Sequence, residues 1–223
     1  MFPLRDTIPS RGFPLVTIFI IFLNSIIFIY EISLGDQVNE LIQAFGVIPI
    51  YYTKAFQEDP FLLISGIPPL ITSLFLHGGW LHVISNMWFL WIFGDNVEDY
   101  TGHVRFLLFY LFSGIIATMA HVILNPFLTI PTIGASGAIA GVMGAYFILY
   151  PNSRVITLIF LFIFIQLIEI PAIIFLGFWI LIQIISATMT TGVTQEGGGV
   201  AWWAHIGGFL SGLLTIFFFK KKR

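Results

Sequence analysis

From Phe13 to Ile32 the chain runs twenty residues with a single Asp, Glu, Lys or Arg, Glu31, and from Ala201 to Phe219 it carries none of these at all. A helix needs about 20 apolar residues to cross the hydrocarbon core of a bilayer. In that core every backbone polar group must be paired within the protein, so only helices and closed barrels cross it. The runs here do not alternate apolar with polar residues, which selects helices. Composition agrees: 58% of the chain is hydrophobic and 9% charged, against about 25% charged in soluble domains, and an ordinary water-soluble domain is excluded. The absence of cysteine removes disulfides and thiolate chemistry. A net charge of -2 without a basic patch gives no reason to expect nucleic acid.

The expectation is an all-α membrane protein, one domain over residues 1–223, with spans at about 13–32, 80–93, 103–124, 136–150, 171–187 and 201–219. The second and fourth are short and carry polar residues at one end, which reads as ends buried in protein beside a water-filled cavity. Pro60 to Leu76 is broken by Gly66, Pro68 and Pro69 and reads as a partly inserted segment of the first outer loop. Val155 to Ala187 is too long for one span and is interrupted by Glu169 and Pro171. The span is given to Pro171–Ala187, with Val155–Ile168 along the interface; two spans is the competing count. Charge decides for six. With both termini in the cytoplasm, Arg5, Arg11, Arg105, Arg154, Lys220, Lys221, Lys222 and Arg223 lie inside and only Lys54 outside, as the positive-inside bias requires. No leader with a small-residue cleavage site precedes the first run, which would itself act as the targeting signal. The expected location is the cell membrane.

Polar groups inside spans are functional hypotheses by default. They are His82 and Asn86, Ser136, His205 and Gln183. Ser136 lies fourteen residues above Tyr150, and His205 fourteen above Phe219, so both stand about 21 Å up their helices. His82 comes out at about 16 Å, with Asn86 one turn lower on the same face. Gly137, Ala140, Gly141 and Gly144 form a small-residue stripe beside Ser136, as do Ala201, Gly208 and Gly212 on the face of His205. Such stripes let helix backbones approach closely in lipid. Alone, a membrane serine bonds back to its own helix and a small-residue stripe means packing. Together at one depth, the four polar groups point to catalysis. Gln183 reads as a helix-bridging hydrogen bond, His77 as a cavity-wall residue, and His103 and His121 as lying away from the site.

Several familiar motifs are missing. G-x-S-x-G is not met, because residue 138 is Ala. There is no H-E-x-x-H, and Phe93-Gly94-Asp95 lacks the second glycine of G-x-G-D. Neither a metal nor another cofactor is expected.

What remains is His77-Gly-Gly-Trp-Leu-His82-Val-Ile-Ser-Asn86, Gly94-Asp-Asn-Val-Glu98, Gly134-Ala-Ser136-Gly and Ala204-His205-Ile-Gly-Gly208-Phe-Leu-Ser-Gly212. In this order the set resembles the rhomboid intramembrane serine proteases over about two thirds of the chain. The resemblance implies a six-helix rhomboid-type bundle and a Ser136–His205 dyad without aspartate. It also implies an oxyanion hole of His82, Asn86 and the Ser136 backbone N–H, and transmembrane protein substrates cut near their outer ends. One departure is visible: Pro68 and Pro69 replace the Trp-Arg pair of the family's first outer loop. Packing must orient the imidazole, with Trp202 and Trp203 as candidates, and the Gly-rich loop Thr194–Gly199 would be a mobile cap. The alternatives are a transporter, which should show inverted repeats, or a rhomboid-like pseudoprotease, which would lack Ser136 or His205.

Overall fold

The computed structural model describes residues 2–58, 60–161, 164–190 and 199–221, and for residues 60, 62, 160, 161, 164 and 165 the backbone alone. The chain opens with a short strand β1 (Phe2–Asp6) and the helix α1 (Leu15–Ser33). A first loop follows with three short helices, α2 (Val38–Phe45), α3 (Pro49–Glu58) and α4 (Ile67–Thr72). The body consists of α5 (Trp80–Thr101), α6 (His103–Leu124) and α7 (Ser136–Leu149), then strands β2 (Arg154–Leu161) and β3 (Phe164–Pro171). It ends with α8 (Ala172–Thr190) and α9 (Trp202–Thr215), the latter running on as a 3-10 turn to Phe219.

Among the described residues four helical stretches are long and apolar enough to cross a membrane: Leu15–Ser33, His103–Leu124, Ala172–Thr190 and Trp202–Phe219. A fifth is reached by joining Ile67–Phe75 to Trp80–Thr101 across a 90° bend. The chain is thus a multi-pass membrane protein. At fourteen residues α7 is about 21 Å long, well short of a hydrocarbon core about 30 Å thick. It is also the heart of the bundle. Every residue from Gly137 to Tyr146 is buried, under α5, α6, α8 and α9.

α5 runs eight residues past the apolar stretch that ends at Phe93, although these include Asp95, Glu98 and Asp99. Distant partners make this possible. The Glu98 carboxylate accepts hydrogen bonds from Val16 N–H (2.8 Å), Thr17 N–H (2.8 Å) and Thr17 Oγ1 (2.7 Å). It thereby caps the first turn of α1, whose N–H groups have no partner within their own helix, and it favours the positive end of the α1 dipole. His103 Nδ1 meets the same carboxylate at 2.5 Å. Asn96 donates to Asp6 (3.0 Å), which also accepts from Tyr146 Oη (2.5 Å). These bonds tie the N-terminal strand to α5 and α7.

The all-α expectation is corrected by a three-stranded antiparallel sheet of order β1-β2-β3. Val155–Ile168, expected along the interface as a segment of no stated structure, lies in the paired strands β2 and β3, and Pro171, expected to open the next span, is the last residue of β3. Arg154 stands opposite Pro171 and Leu161 opposite Phe164, while Phe2 and Asp6 of β1 pair with Leu158 and Val155. The cause is local and non-local together. Val155, Ile156, Thr157, Ile159, Ile168 and Ile170 are β-branched and favour an extended chain, and β1 supplies a partner strand from the other end of the sequence. Trp88 of α5 holds β1 by donating its indole N–H to Pro3 O (2.7 Å).

Loss of the Glu98 cap should loosen α1. Hydrogen bonds to a charged group contribute about 1.5–3 kcal/mol, and in a chain of this size each kcal/mol moves the melting temperature by about 2–4 °C. Glu98→Ala is expected to lower the Tm of the detergent-solubilised protein by about 4–10 °C. An unchanged Tm would mean that α1 is held by lipid-facing packing alone.

Candidate active site

Three helices begin at the same end of the bundle, and each brings a polar residue in its first two turns. α7 begins at Ser136, α9 carries His205 as its fourth residue, and α5 carries His82 and Asn86 as its third and seventh. The meeting of α7 and α9 is backbone against backbone. A Cβ at Gly208 would lie 2.0 Å from Gly137 O, one at Gly212 1.8 Å from Gly141 O, and one at Gly144 2.0 Å from Phe209 O. Gly137 faces Gly208 and Gly141 faces Gly212, one turn further along both helices, so the two run parallel in fixed register. Gly137 also faces Ala204: a Cβ there would lie 3.7 Å from the Ala204 Cβ. Ser136 and His205 are the immediate neighbours of this Gly137–Ala204 contact, which sets them level with each other. Ser136 is half-buried, whereas His205 is 9% exposed.

The loop entering α7 brings in α5. Gly134 has φ +121°, a backbone conformation that L side chains rarely adopt, and its N–H donates to Ser73 O (2.8 Å). A Cβ at Gly134 would sit 2.7 Å from both Cε1 and Nε2 of His82 and 3.8 Å from Ser136 Oγ. The imidazole of His82 therefore lies across Gly134 from the Ser136 hydroxyl. Its Nδ1 accepts from Gly78 N–H (3.4 Å), which assigns the proton to Nε2, the nitrogen beside Gly134. Asn86 is 7% exposed, and its Nδ2 donates to no protein atom among the described residues. A buried amide N–H2 without an acceptor is an unspent donor. The first N–H groups of α7 add to it, since those of a first turn have no partner in their own helix. Several donors and the positive end of a helix thus gather where an anion would be stabilised.

His205 is held from two other sides. His205 Nδ1 pairs with Gln183 Oε1 of α8 at 2.7 Å. The Trp179 ring lies against the imidazole at 5.7 Å and 35°, and Trp202 meets it edge-on at 6.1 Å and 88°. Gln183 thus bridges α8 to α9, and the histidine is its partner. Of the two tryptophans named from the sequence, Trp202 touches the imidazole. Trp179 was missed, although Trp179 and Gln183 are four apart on one helical face.

The remaining histidines divide. His77 is buried, its ring 5.0 Å from that of His82, and neither of its ring nitrogens has a partner among the described residues. Its backbone N–H donates to the buried Glu31 carboxylate, which fastens the turn before α5 to α1. His121 is buried in α6 beside Asn125. His103 lies at the opposite end with Glu98. Among the described residues no three His, Asp or Glu converge as metal ligands. The Gly-rich segment expected to cap the site lies, but for Gly199, outside the described residues.

Comparison with known proteins gives this arrangement a context. The rhomboid domain family matches residues 66–222. The rhomboid protease GluP of Bacillus subtilis (strain 168) is 34% identical over 137 residues, 61% of this chain and 25% of that protein. The mitochondrial rhomboid protein 1 of Saccharomyces cerevisiae is 28% identical over 156 residues, 68% of this chain and 42% of that one. The putative rhomboid protease YdcA of Bacillus subtilis is 40% identical over 77 residues, 34% of this chain and 38% of that one. In each, the match spans less than half of the relative's length.

The α7–α9 contact yields a direct test. Carbon atoms pack at about 3.5–4.0 Å, so even one methyl at Gly208 must push the backbones apart. A misplacement of about 1 Å can cost about 100-fold in rate. Gly208→Ala is expected to lower fluorophosphonate labelling of Ser136 by about that factor. Gly177→Ala on α8, where a Cβ would meet nothing nearer than Phe147 Cε2 at 3.9 Å, should label like the parent. Equal labelling of both variants would show that this contact does not hold the site together.

Proposed function

The chain belongs to the rhomboid family, and from that membership and the setting of Ser136 we propose that it is an intramembrane serine endopeptidase acting through a Ser136–His205 dyad. The observation that carries the reading is the fixed register of α7 and α9, which levels a half-exposed serine with a buried histidine beside an unspent Asn86 donor. A serine hydroxyl is a weak nucleophile until a base takes its proton, and neutral imidazole is suited to do so.

In the proposed reaction His205 Nε2 accepts the Ser136 Oγ proton as Oγ bonds to the substrate carbonyl carbon. The resulting oxyanion takes hydrogen bonds from Ser136 N–H, Asn86 Nδ2–H and His82 Nε2–H. As the tetrahedral species collapses, the C–N bond breaks and the imidazolium returns the proton to the departing amine. Water, deprotonated by His205, then attacks the acyl ester, and as the Oγ–C bond breaks the imidazolium returns its proton to Ser136 Oγ and the acid is released. Fixed donors are worth most in a low-dielectric site, where losing one typically costs about 3–4 kcal/mol of barrier.

The substrates are transmembrane segments of other membrane proteins. The six crossings are α1, α5, α6, α7, α8 and α9, the short α7 crossing within a shell of its neighbours. Both termini lie in the cytoplasm of a cell membrane, and the site opens to the other side. The distribution of basic residues supports this orientation: Lys54 alone lies in the loop at the site's end, and Arg5, Arg105, Arg154 and Lys220 lie at the opposite end.

Purified protein in proteoliposomes, given a fluorogenic transmembrane peptide, tests the reading. Ser136→Ala and His205→Ala are each expected to abolish cleavage while the protein remains folded, and more than a few per cent residual activity in Ser136→Ala would overturn the dyad. Asn86→Ala should lower kcat about 10- to 1000-fold with KM little changed, the signature of a donor used only in the transition state. A loss confined to KM would remove Asn86 from the oxyanion hole.

A further inference from the structure

We infer that Gln183 is a positioning residue for the base: its amide oxygen accepts the Nδ1–H of His205 and holds the imidazole in the tautomer whose Nε2 lone pair is free for the Ser136 hydroxyl. The inference rests on the dyad proposed above.

Each step is set by what the atoms can donate or accept. Gln183 Nε2 donates to the Trp179 carbonyl one turn back (3.1 Å). A carbonyl only accepts, so the nitrogen of the amide is the atom turned to Trp179 and the oxygen is the atom turned to His205. That oxygen lies 2.7 Å from His205 Nδ1 and is itself an acceptor, so Nδ1 carries the proton. In a neutral imidazole one nitrogen is a donor and the other an acceptor, which leaves Nε2 with its lone pair. The opposite tautomer would place two acceptors against each other in a buried site, where His205 is 9% and Gln183 5% exposed, and would leave both without a hydrogen bond. The Trp179 ring lies at 5.7 Å from the imidazole, so a single turn of α8 fixes both the tautomer and the ring plane. In soluble serine proteases a buried aspartate performs this service. Here a neutral amide orients the imidazole without placing a second charge beside it.

A glutamine between two helices could also serve packing alone, and two substitutions separate the roles. Gln183→Met keeps length and volume and loses the acceptor. Gln183→Glu keeps an oxygen in the same place and introduces a group that is costly to bury. The full chain carrying each change is purified and assayed for kcat and KM on the transmembrane peptide and for fluorophosphonate labelling of Ser136. The tautomer of His205 is read from its ¹⁵N imidazole shifts.

For a positioning role Gln183→Met should lower kcat and labelling together by about 10- to 100-fold, less than the loss when an ionised triad partner is removed, with KM within about 2-fold. Gln183→Glu should recover at least about 10-fold of that loss. Packing alone predicts the reverse order, with the apolar Gln183→Met tolerated and Gln183→Glu impaired, and that order would overturn the inference. The unsubstituted protein provides a measurement independent of folding in the variants: its His205 should be protonated at Nδ1, and protonation at Nε2 instead would sink the idea. If the unsubstituted protein neither cleaves nor labels at Ser136, the dyad itself fails, whereas the ¹⁵N spectrum still decides whether Gln183 fixes the tautomer.

Discussion

The contact between α7 and α9 is the constraint on which the rest depends. Lipid offers helices no hydrophobic reason to associate, so they adhere through close packing and backbone polarity. Here the carbonyls of Gly137 and Gly141 point into the backbone of α9 at Gly208 and Gly212, and the Phe209 carbonyl points back at Gly144. Glycine at each position lets a Cα hydrogen approach a carbonyl where any side chain would intervene, a contact that recurs at helix interfaces. The arrangement fixes axial register as well as distance, because sliding one helix by a residue would move the small groups off the facing carbonyls. Register is what the proposed two-residue site needs. Ser136 and His205 come from helices separated by a hairpin and a whole further helix, and their level is set by this seam.

The same segments show which features are written locally and which are not. Ser136, His205, His82 and Asn86 stand out in the sequence because a polar group in an apolar run has few structural uses, and the glycine stripes because their period is that of a helix. Helix α6 begins and ends where its apolar run does, at His103 and Leu124. α5 does not, since its last turns are polar and persist only because Glu98 caps α1 and Asn96 meets Asp6. The sheet was equally out of reach. Its β1–β2 pairing joins Phe2 to Leu158, and a strand's partner across such a separation leaves no periodic trace in either segment. In the same way Gln183 was legible as a polar residue needing a partner, but the rotation of α8 that makes His205 that partner is a property of packing.

The two ends of the molecule treat their buried polar groups differently, while between them Tyr110 Oη, Ser113 Oγ and Ser211 Oγ also find no partner among the described residues. At the end away from the site, Asp6, Asn96, Tyr146, Glu98 and His103 spend their hydrogen bonds on one another and on the start of α1. At the site end the accounts stay open. Asn86 Nδ2 and both ring nitrogens of His77 find no partner among the described residues. Asn86 lies one turn below His82, whose Nε2 borders the gap between Gly134 and Ser136. Unsatisfied donors are tolerated where something else is meant to satisfy them, and in the proposed reaction the transient oxyanion would be such a group.

In the proposed dyad the choice of a neutral partner for His205 follows from the medium. An ionised carboxylate beside His205 would have to be stripped of water within a bundle that has little to offer in return, and buried ions cost several kcal/mol each even after relaxation. The advantage of such a carboxylate, stabilising the imidazolium, matters only while the proton is in transit. Its other contribution, holding the correct tautomer and ring plane, is needed in every encounter with substrate. An amide oxygen supplies the second without the first. In the proposed dyad the Gln183 oxygen at Nδ1 and the Trp179 ring against the imidazole would therefore provide the part of a catalytic triad that a lipid-embedded enzyme can keep without burying a charge, and the fixed α7–α9 seam would supply the alignment that remains.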